Sequence, residues 1–143
     1  NGEDVFSFRC ANIRNNQIVS AKVELFLLYK EITKEGQVLT RFRSLPLQKD
    51  YTPVFALSWS IFHNINESSP LFNLSIEEMK KNGHEFIALI HGNDDTYNQT
   101  IHQTHYYTPD DIVLNHVYED IIKRTPNGIR IIDYKNFNKT REL

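Results

Sequence analysis

Apolar and polar residues alternate with a period of two through most of this chain, which predicts strands rather than helices. From Val5 to Cys10, Phe6, Phe8 and Cys10 alternate with Ser7 and Arg9. From Val19 to Leu27, Val19, Ala21, Val23, Leu25 and Leu27 share a dry face, and Ser20, Lys22, Glu24 and Phe26 share a mostly wet one. Val54 to Ile65, Glu85 to His91, Gln99 to Tyr107, Ile112 to Tyr118 and Ile129 to Tyr134 also read as strands, rich in β-branched and aromatic residues and bounded by Gly, Pro, Asn and Asp. One helix interrupts them. Ser75-Ile76-Glu77-Glu78 is a capping box, Lys80 and Lys81 suit the last turn, and Asn82-Gly83 is a stop. Thr108-Pro109-Asp110-Asp111 suits a second, shorter turn, and Pro126-Asn127-Gly128 a hairpin turn. Short strands divided by turn signals predict an all-β sandwich with one or two short helices, in a single domain over residues 1–143.

Composition narrows the function more than the fold. The 143 residues are 40% hydrophobic and 24% charged, enough for a buried core without staples. A net charge of -2 gives no reason to expect a nucleic-acid partner. A lone cysteine, Cys10, excludes an internal disulfide framework and favours a reducing compartment. No run nears the roughly 20 apolar residues that span a bilayer, and the polar start Asn1-Gly2-Glu3-Asp4 is no signal peptide. The chain as it stands is therefore expected to be soluble and, lacking an initial methionine, an excised piece. Asn-x-Ser/Thr triplets at Asn66, Asn73, Asn98 and Asn138 are chance in a chain this rich in those residues.

Catalytic chemistry finds no foothold. His102 and His105 lie three apart, on opposite faces of a strand, and so form no chelate even with His91 and Asp94 nearby in sequence. Cys10 shares its side with Phe6 and Phe8, as a packed, inert thiol does. There is no G-x-S-x-G elbow and no phosphate-binding glycine loop. Asp94-Asp95 and Asp110-Asp111 follow turn residues, where capping or solvation accounts for them. Gly92 to Thr96 reads as a polar hairpin loop. The expectation is a non-enzyme with no metal and no cofactor. A soluble β-sandwich binding or adhesion module and a histidine-metal hydrolase are the alternatives.

Five segments in order carry a resemblance. Phe8-Arg9-Cys10-Ala11-Asn12-Ile13-Arg14 with Gln17-Ile18-Val19 comes first, then Thr33-Lys34-Glu35-Gly36 and Pro53-Val54-Phe55-Ala56-Leu57-Ser58-Trp59. His63-Asn64-Ile65-Asn66-Glu67-Ser68-Ser69-Pro70-Leu71 is the most distinctive, and Asp133 to Thr140 is similar to a terminal strand. Together they resemble the cytoplasmic C-terminal domain of inward-rectifier potassium channels, most like the prokaryotic members.

The resemblance implies an immunoglobulin-like (E-set type) sandwich in a homotetramer that extends a membrane pore, with K+ in transit. Its partner is its own transmembrane pore domain, and its place is the cytoplasmic side of the cell membrane. Such a domain couples lipid, ion and pH signals to the gate. The pore-lining and apical positions are then Ser20, Lys22, Asp50, His91, Gly92, Asn93, Asn98 and Gln99, with Gly92 to Thr100 a constricting apical loop. His91 and Ser20 stand where strong rectifiers carry acids, leaving Asp50 as the acid of that ring, so Mg2+ and polyamines are expected to bind weakly. Arg14 matches a basic position of phosphoinositide response, whereas Thr104 replaces another. Among the histidines, His91 is the candidate pH input.

Overall fold

The computed structural model describes residues 3–13, 16–132 and 134–143. Arg14, the lipid-response candidate, lies outside the described residues, as does Asp133. The chain divides into two compact units, Asn1–Asp111 and Ile112–Leu143.

The first unit is an all-β sandwich with one short helix. Its larger sheet is built on β2 (Ile18–Ile32). One edge of β2 carries β3 (Val38–Ser44) and, further towards its start, β4 (Tyr51–Phe55); the other carries β6 (Glu85–Asp94), which pairs with β7 (Gln99–Tyr107). The smaller sheet pairs β1 (Asp4–Ala11) with β5 (Ser58–Ile65), antiparallel. The dry face expected for β2 is real from Ala21 onward, because Ala21, Val23, Leu25 and Leu27 are all at most 3% exposed. They join Phe86 and Ala88 of β6 and Phe8 and Ile61 of the smaller sheet in the core. Each large side chain so buried stabilises by about 1.5–3 kcal/mol. Aromatic rings bridge the two sheets, with Phe6 stacked on Phe86 at 4.8 Å and Phe8 tilted on Tyr107 at 6.0 Å.

Four departures from the sequence expectation have local causes. The run Val54 to Ile65 is not one strand: it bends at Ala56-Leu57 and changes sheet, from β4 beside β2 to β5 beside β1. Asn12 makes the break, since its side-chain amide donates to the Phe55 carbonyl (3.1 Å) and its backbone N–H donates to the Leu57 carbonyl (2.8 Å). β3 was unforeseen because both its sides are exposed, leaving no apolar face to read. Its Arg41 pairs with Glu31 of β2 at 2.8 Å, a charged edge of the kind that discourages further strand addition. Val19 does not share the dry face, because Ser20 (φ 52) forms a β-bulge that shifts the β2–β6 register between Val19 and Lys22. Arg9, expected on the wet side of β1, is buried at 8% exposure, so that side is covered too near the strand's end.

The helix α1 (Ile76–Lys81) follows its signals. The Glu78 N–H donates to Ser75 Oγ at 3.1 Å. At the other end Gly83 (φ 66) and His84 return N–H bonds to the Lys80 and Met79 carbonyls, the Schellman pattern. Pro109–Asp111 is a 3-10 turn, and Lys80 reaches Asp110 at 2.8 Å.

In the second unit β8 (His116–Tyr118) pairs with β11 (Thr140–Glu142), and β9 (Ile122–Arg124) with β10 (Arg130–Ile132). The hairpin turn expected at Pro126-Asn127-Gly128 joins β9 to β10, with Gly128 at φ 80. The strands expected over Ile112 to Tyr118 and Ile129 to Tyr134 shrink to three residues each. Asn115, at φ 58, turns the chain just before β8, and Tyr134–Asn136 is a 3-10 turn. That turn also replaces most of the terminal strand expected from Asp133 to Thr140; only Thr140 onward is extended.

Candidate functional site

The candidate residues gather on one sheet around the bulge in β2. Gly92 is the reason the bulge fits. A Cβ there would lie 2.6 Å from Ile18 Cγ2, 3.2 Å from the Val19 carbonyl oxygen and 3.3 Å from Ala21 Cα. Only a bare α-carbon lets β6 approach the bulged segment so closely. Expected to lie in a loop, Gly92 and Asn93 are instead the continuation of β6, which pairs with β7 up to Asp94 and Gln99.

Beyond the bulge the register sets a row across four strands. Lys22 pairs with Tyr51 on one side and His91 on the other, and His91 pairs in turn with His102. Directly opposed residues project from the same face of a sheet, so these side chains share the face away from Val23 and Leu25. Lys22 lies 3.9 Å from Glu24 of the same face. The rings of His91 and His102 stack at 5.8 Å between centroids, 29° from parallel. His91 is half-buried, and Tyr51 and His102 are exposed.

The other candidates lie around this row. Asp50 precedes β4 and is exposed; its carbonyl accepts from the Val23 N–H at 2.8 Å, while Tyr51 takes the place beside Lys22. Ser20 is exposed on the bulge. Asn93 accepts a 3.2 Å bond from the Thr100 hydroxyl across the hairpin, Asn98 (φ 50) turns it, and Gln99 opens β7 opposite Asp94. Thr104 is exposed opposite Leu89. His105 pairs with Ala88, and its ring meets Tyr107 edge-on at 4.5 Å, so His102 and His105 take opposite faces as expected.

Asp94 is the residue that sequence reasoning undervalued. It is 2% exposed, and its Oδ1 accepts from the N–H groups of Thr96 (2.9 Å) and Tyr97 (3.3 Å). Its Oδ2 accepts from the Asn16 side chain at 3.2 Å, and Asp95 N–H donates to the Gln17 carbonyl at 3.1 Å. The β6–β7 hairpin is thereby tied to the turn before β2. That turn is anchored in its own right, as buried Asn12 donates to the Asn16 carbonyl at 2.7 Å. Capping explained Asp94 correctly; its burial depends on a partner 78 residues away.

Two groups elsewhere have settled roles. Burial pushes the Cys10 thiol up to about 12, and its Sγ lies 3.6 Å from the Trp59 carbonyl, so it stays protonated and inert. His63, 2% exposed, contacts the Pro46 carbonyl through Nδ1 (2.6 Å) and Ser69 Oγ through Nε2 (2.7 Å). Ser69 Oγ also accepts from the Leu71 N–H at 3.1 Å, so the His63 to Leu71 signature is a folding element.

The first unit is thus an all-β sandwich that presents a polar row on one of its sheets. The whole of residues 1–143 matches the inward rectifier potassium channel C-terminal domain family, and the chain belongs to it. It is 33% identical to the inward rectifier potassium channel Kirbac3.1 of Paramagnetospirillum magnetotacticum, over 96% of this chain and 47% of that protein. It is 27% identical to the ATP-sensitive inward rectifier potassium channel 12 of Mus musculus, over 99% of this chain and 34% of that protein. To the G protein-activated inward rectifier potassium channel 1 of Bos taurus it is 29% identical, over 99% of this chain and 29% of that protein. The chain thus spans from under a third to about half the length of these relatives. They are channels and not enzymes. Among the described residues, no helix is long and apolar enough to cross a membrane, and no three His, Cys, Asp or Glu side chains converge as a metal group.

Proposed function

We propose that this chain is the cytoplasmic regulatory domain of an inward-rectifier potassium channel of the cell membrane. It works as a homotetramer joined to its own transmembrane pore domain and extends the path taken by K+. The face carrying Lys22, His91 and His102 borders that path, and the β6–β7 hairpin with Asn98 and Gln99 stands at its membrane end. The domain couples lipid, ion and pH signals to the gate, and Arg14 contributes one basic contact to anionic lipid such as phosphoinositide. One such contact is worth about 1 kcal/mol, so the response needs further basic groups beside Arg14.

The observation that carries this reading is the family match over the whole chain. The chemistry of the row then sets its character. Four copies around an axis turn each side chain into a ring, and rings of side chains set the local field of a pore. Here the row offers an ammonium, two imidazoles and a phenol, with Glu24 beside Lys22. Mg2+ and polyamines find little negative charge there, so rectification through this domain is weak.

The test is spermine block of the reconstituted parent channel. Wild type is expected to be blocked weakly, and His91→Glu, which adds a ring of four carboxylates, to be blocked at least about tenfold more potently. Strong block of the wild type, or no change in His91→Glu, would contradict the reading.

A further inference from the structure

We propose that His91 and His102 form a two-imidazole site for borderline transition-metal ions such as Ni2+, Cu2+ and Zn2+. The two residues are directly opposed on β6 and β7, on one face of the sheet. Among the described residues, no hydrogen bond engages any of their four ring nitrogens. Of the other histidines, His63 uses both nitrogens and His116 Nδ1 is bonded to the Leu114 carbonyl, while His84 precedes β6 and His105 stands opposite Ala88, so neither has a second imidazole opposite it in the register. His91 and His102 are therefore the adjacent pair whose lone pairs are open to a ligand.

The spacing suits a metal. With metal–nitrogen bonds of about 2.0–2.1 Å and a centroid about 1.2 Å behind each nitrogen, ligating imidazoles hold their centroids about 5.3 Å apart at a tetrahedral angle and about 6.5 Å apart when opposed. The observed 5.8 Å lies between these limits, and since the rings now stack 29° from parallel, His102 must turn for both lone pairs to meet at one ion. His102 is exposed, so its ring turns without disturbing the core. Imidazole nitrogen selects Ni2+, Cu2+ and Zn2+, whereas Mg2+ prefers oxygen ligands and keeps its water. No third protein ligand converges among the described residues, so water completes the shell and the ion exchanges. Lys22, on the far side of His91, is the one cation beside the pair in the register, and Glu24 lies 3.9 Å from its ammonium. The site lies within one chain and does not depend on the tetramer or the pore.

Calorimetric titration of this chain with Ni2+ tests the proposal. Wild type is expected to take up one ion per chain, His91→Gln and His102→Gln each to bind at least about tenfold more weakly, and His105→Gln to bind as wild type. Mg2+ at the same concentration is expected to give no binding heat. In wild type, substoichiometric Cu2+ broadens the ring proton resonances of His91 and His102 first, a readout that needs no variant to fold. Wild-type binding no tighter than that of a variant carrying both His91→Gln and His102→Gln would overturn the proposal. So would equal loss in His105→Gln, or first broadening at another histidine. None of these results decides whether spermine blocks the wild-type parent channel weakly, so the pore reading stands or falls separately.

Discussion

At the scale of single residues, two positions decide the architecture around the site. Gly92 allows β6 to lie against the bulged start of β2, where the nearest atoms to an added methyl group are backbone or the stiff branch of Ile18. Gly92→Ala is expected to destabilise the fold by about 1–3 kcal/mol through overpacking, read as a lower urea midpoint. A midpoint equal to wild type would mean that β6 and the bulge separate freely. His63 joins the Pro46 carbonyl to Ser69 in the interior. Replacing it with Ala leaves a cavity and strips Ser69 of its buried partner, at a cost of about 2–4 kcal/mol in the same measurement. Neither cost requires any change in the row of Lys22 and His102.

Elements show where a sequence is legible. The dry face of β2 from Ala21 to Leu27 could be read because that face is wholly buried and its period is two. The helix could be read because its signals are local, from Ser75 at one end to Gly83 at the other. β3 could not, since an edge strand exposed on both sides has no face to mark. The change of sheet at Ala56-Leu57 was hidden because Phe55, Leu57, Trp59 and Ile61 keep alternating through it, and the interruption comes from Asn12, 43 residues from Phe55. The pairing of His91 with His102 was invisible to spacing along one strand and emerges only in the register of the hairpin. His84, just after α1, carries an expectation of its own. Its Nδ1 is buried without a partner among the described residues, and burial lowers its pKa below the ordinary 6.5. The unfolded chain therefore takes up the proton more readily, and the stability due to neutral His84 is present above about pH 6.5 and lost as pH falls. Thermal midpoints are expected to drop between about pH 7.5 and about pH 5.5, and to drop less in His84→Gln. Equal drops in both proteins would assign the effect to other groups.

For the whole molecule, family and fold class were legible in the order of five short segments, and the match over residues 1–143 establishes the family. The candidate positions could be named from the sequence, but their arrangement on the sheet could not. Ser20 and Lys22 read as one wet face and Asp50 as the acid of the same ring, while the structure gives the place beside Lys22 to Tyr51 and sets Ser20 on a bulge. The thiol chemistry of the chain offers a direct test of whether the row of Lys22, His91 and His102 borders the ion path. Cys10 is the chain's single cysteine, and burial pushes its thiol up to about 12, which disfavours the thiolate that thiol reagents attack. The measurement is K+ flux through a parent channel otherwise free of reactive cysteines, carrying His102→Cys, before and after a cationic methanethiosulfonate reagent is added from the domain's side. Exposed Glu77 of α1, as Glu77→Cys, serves as the control. A positive charge fixed at each of four His102 positions is expected to cut K+ flux severalfold, while the same modification at Glu77 leaves it unchanged. Unchanged flux after complete labelling of His102→Cys would contradict the placement of this face along the path.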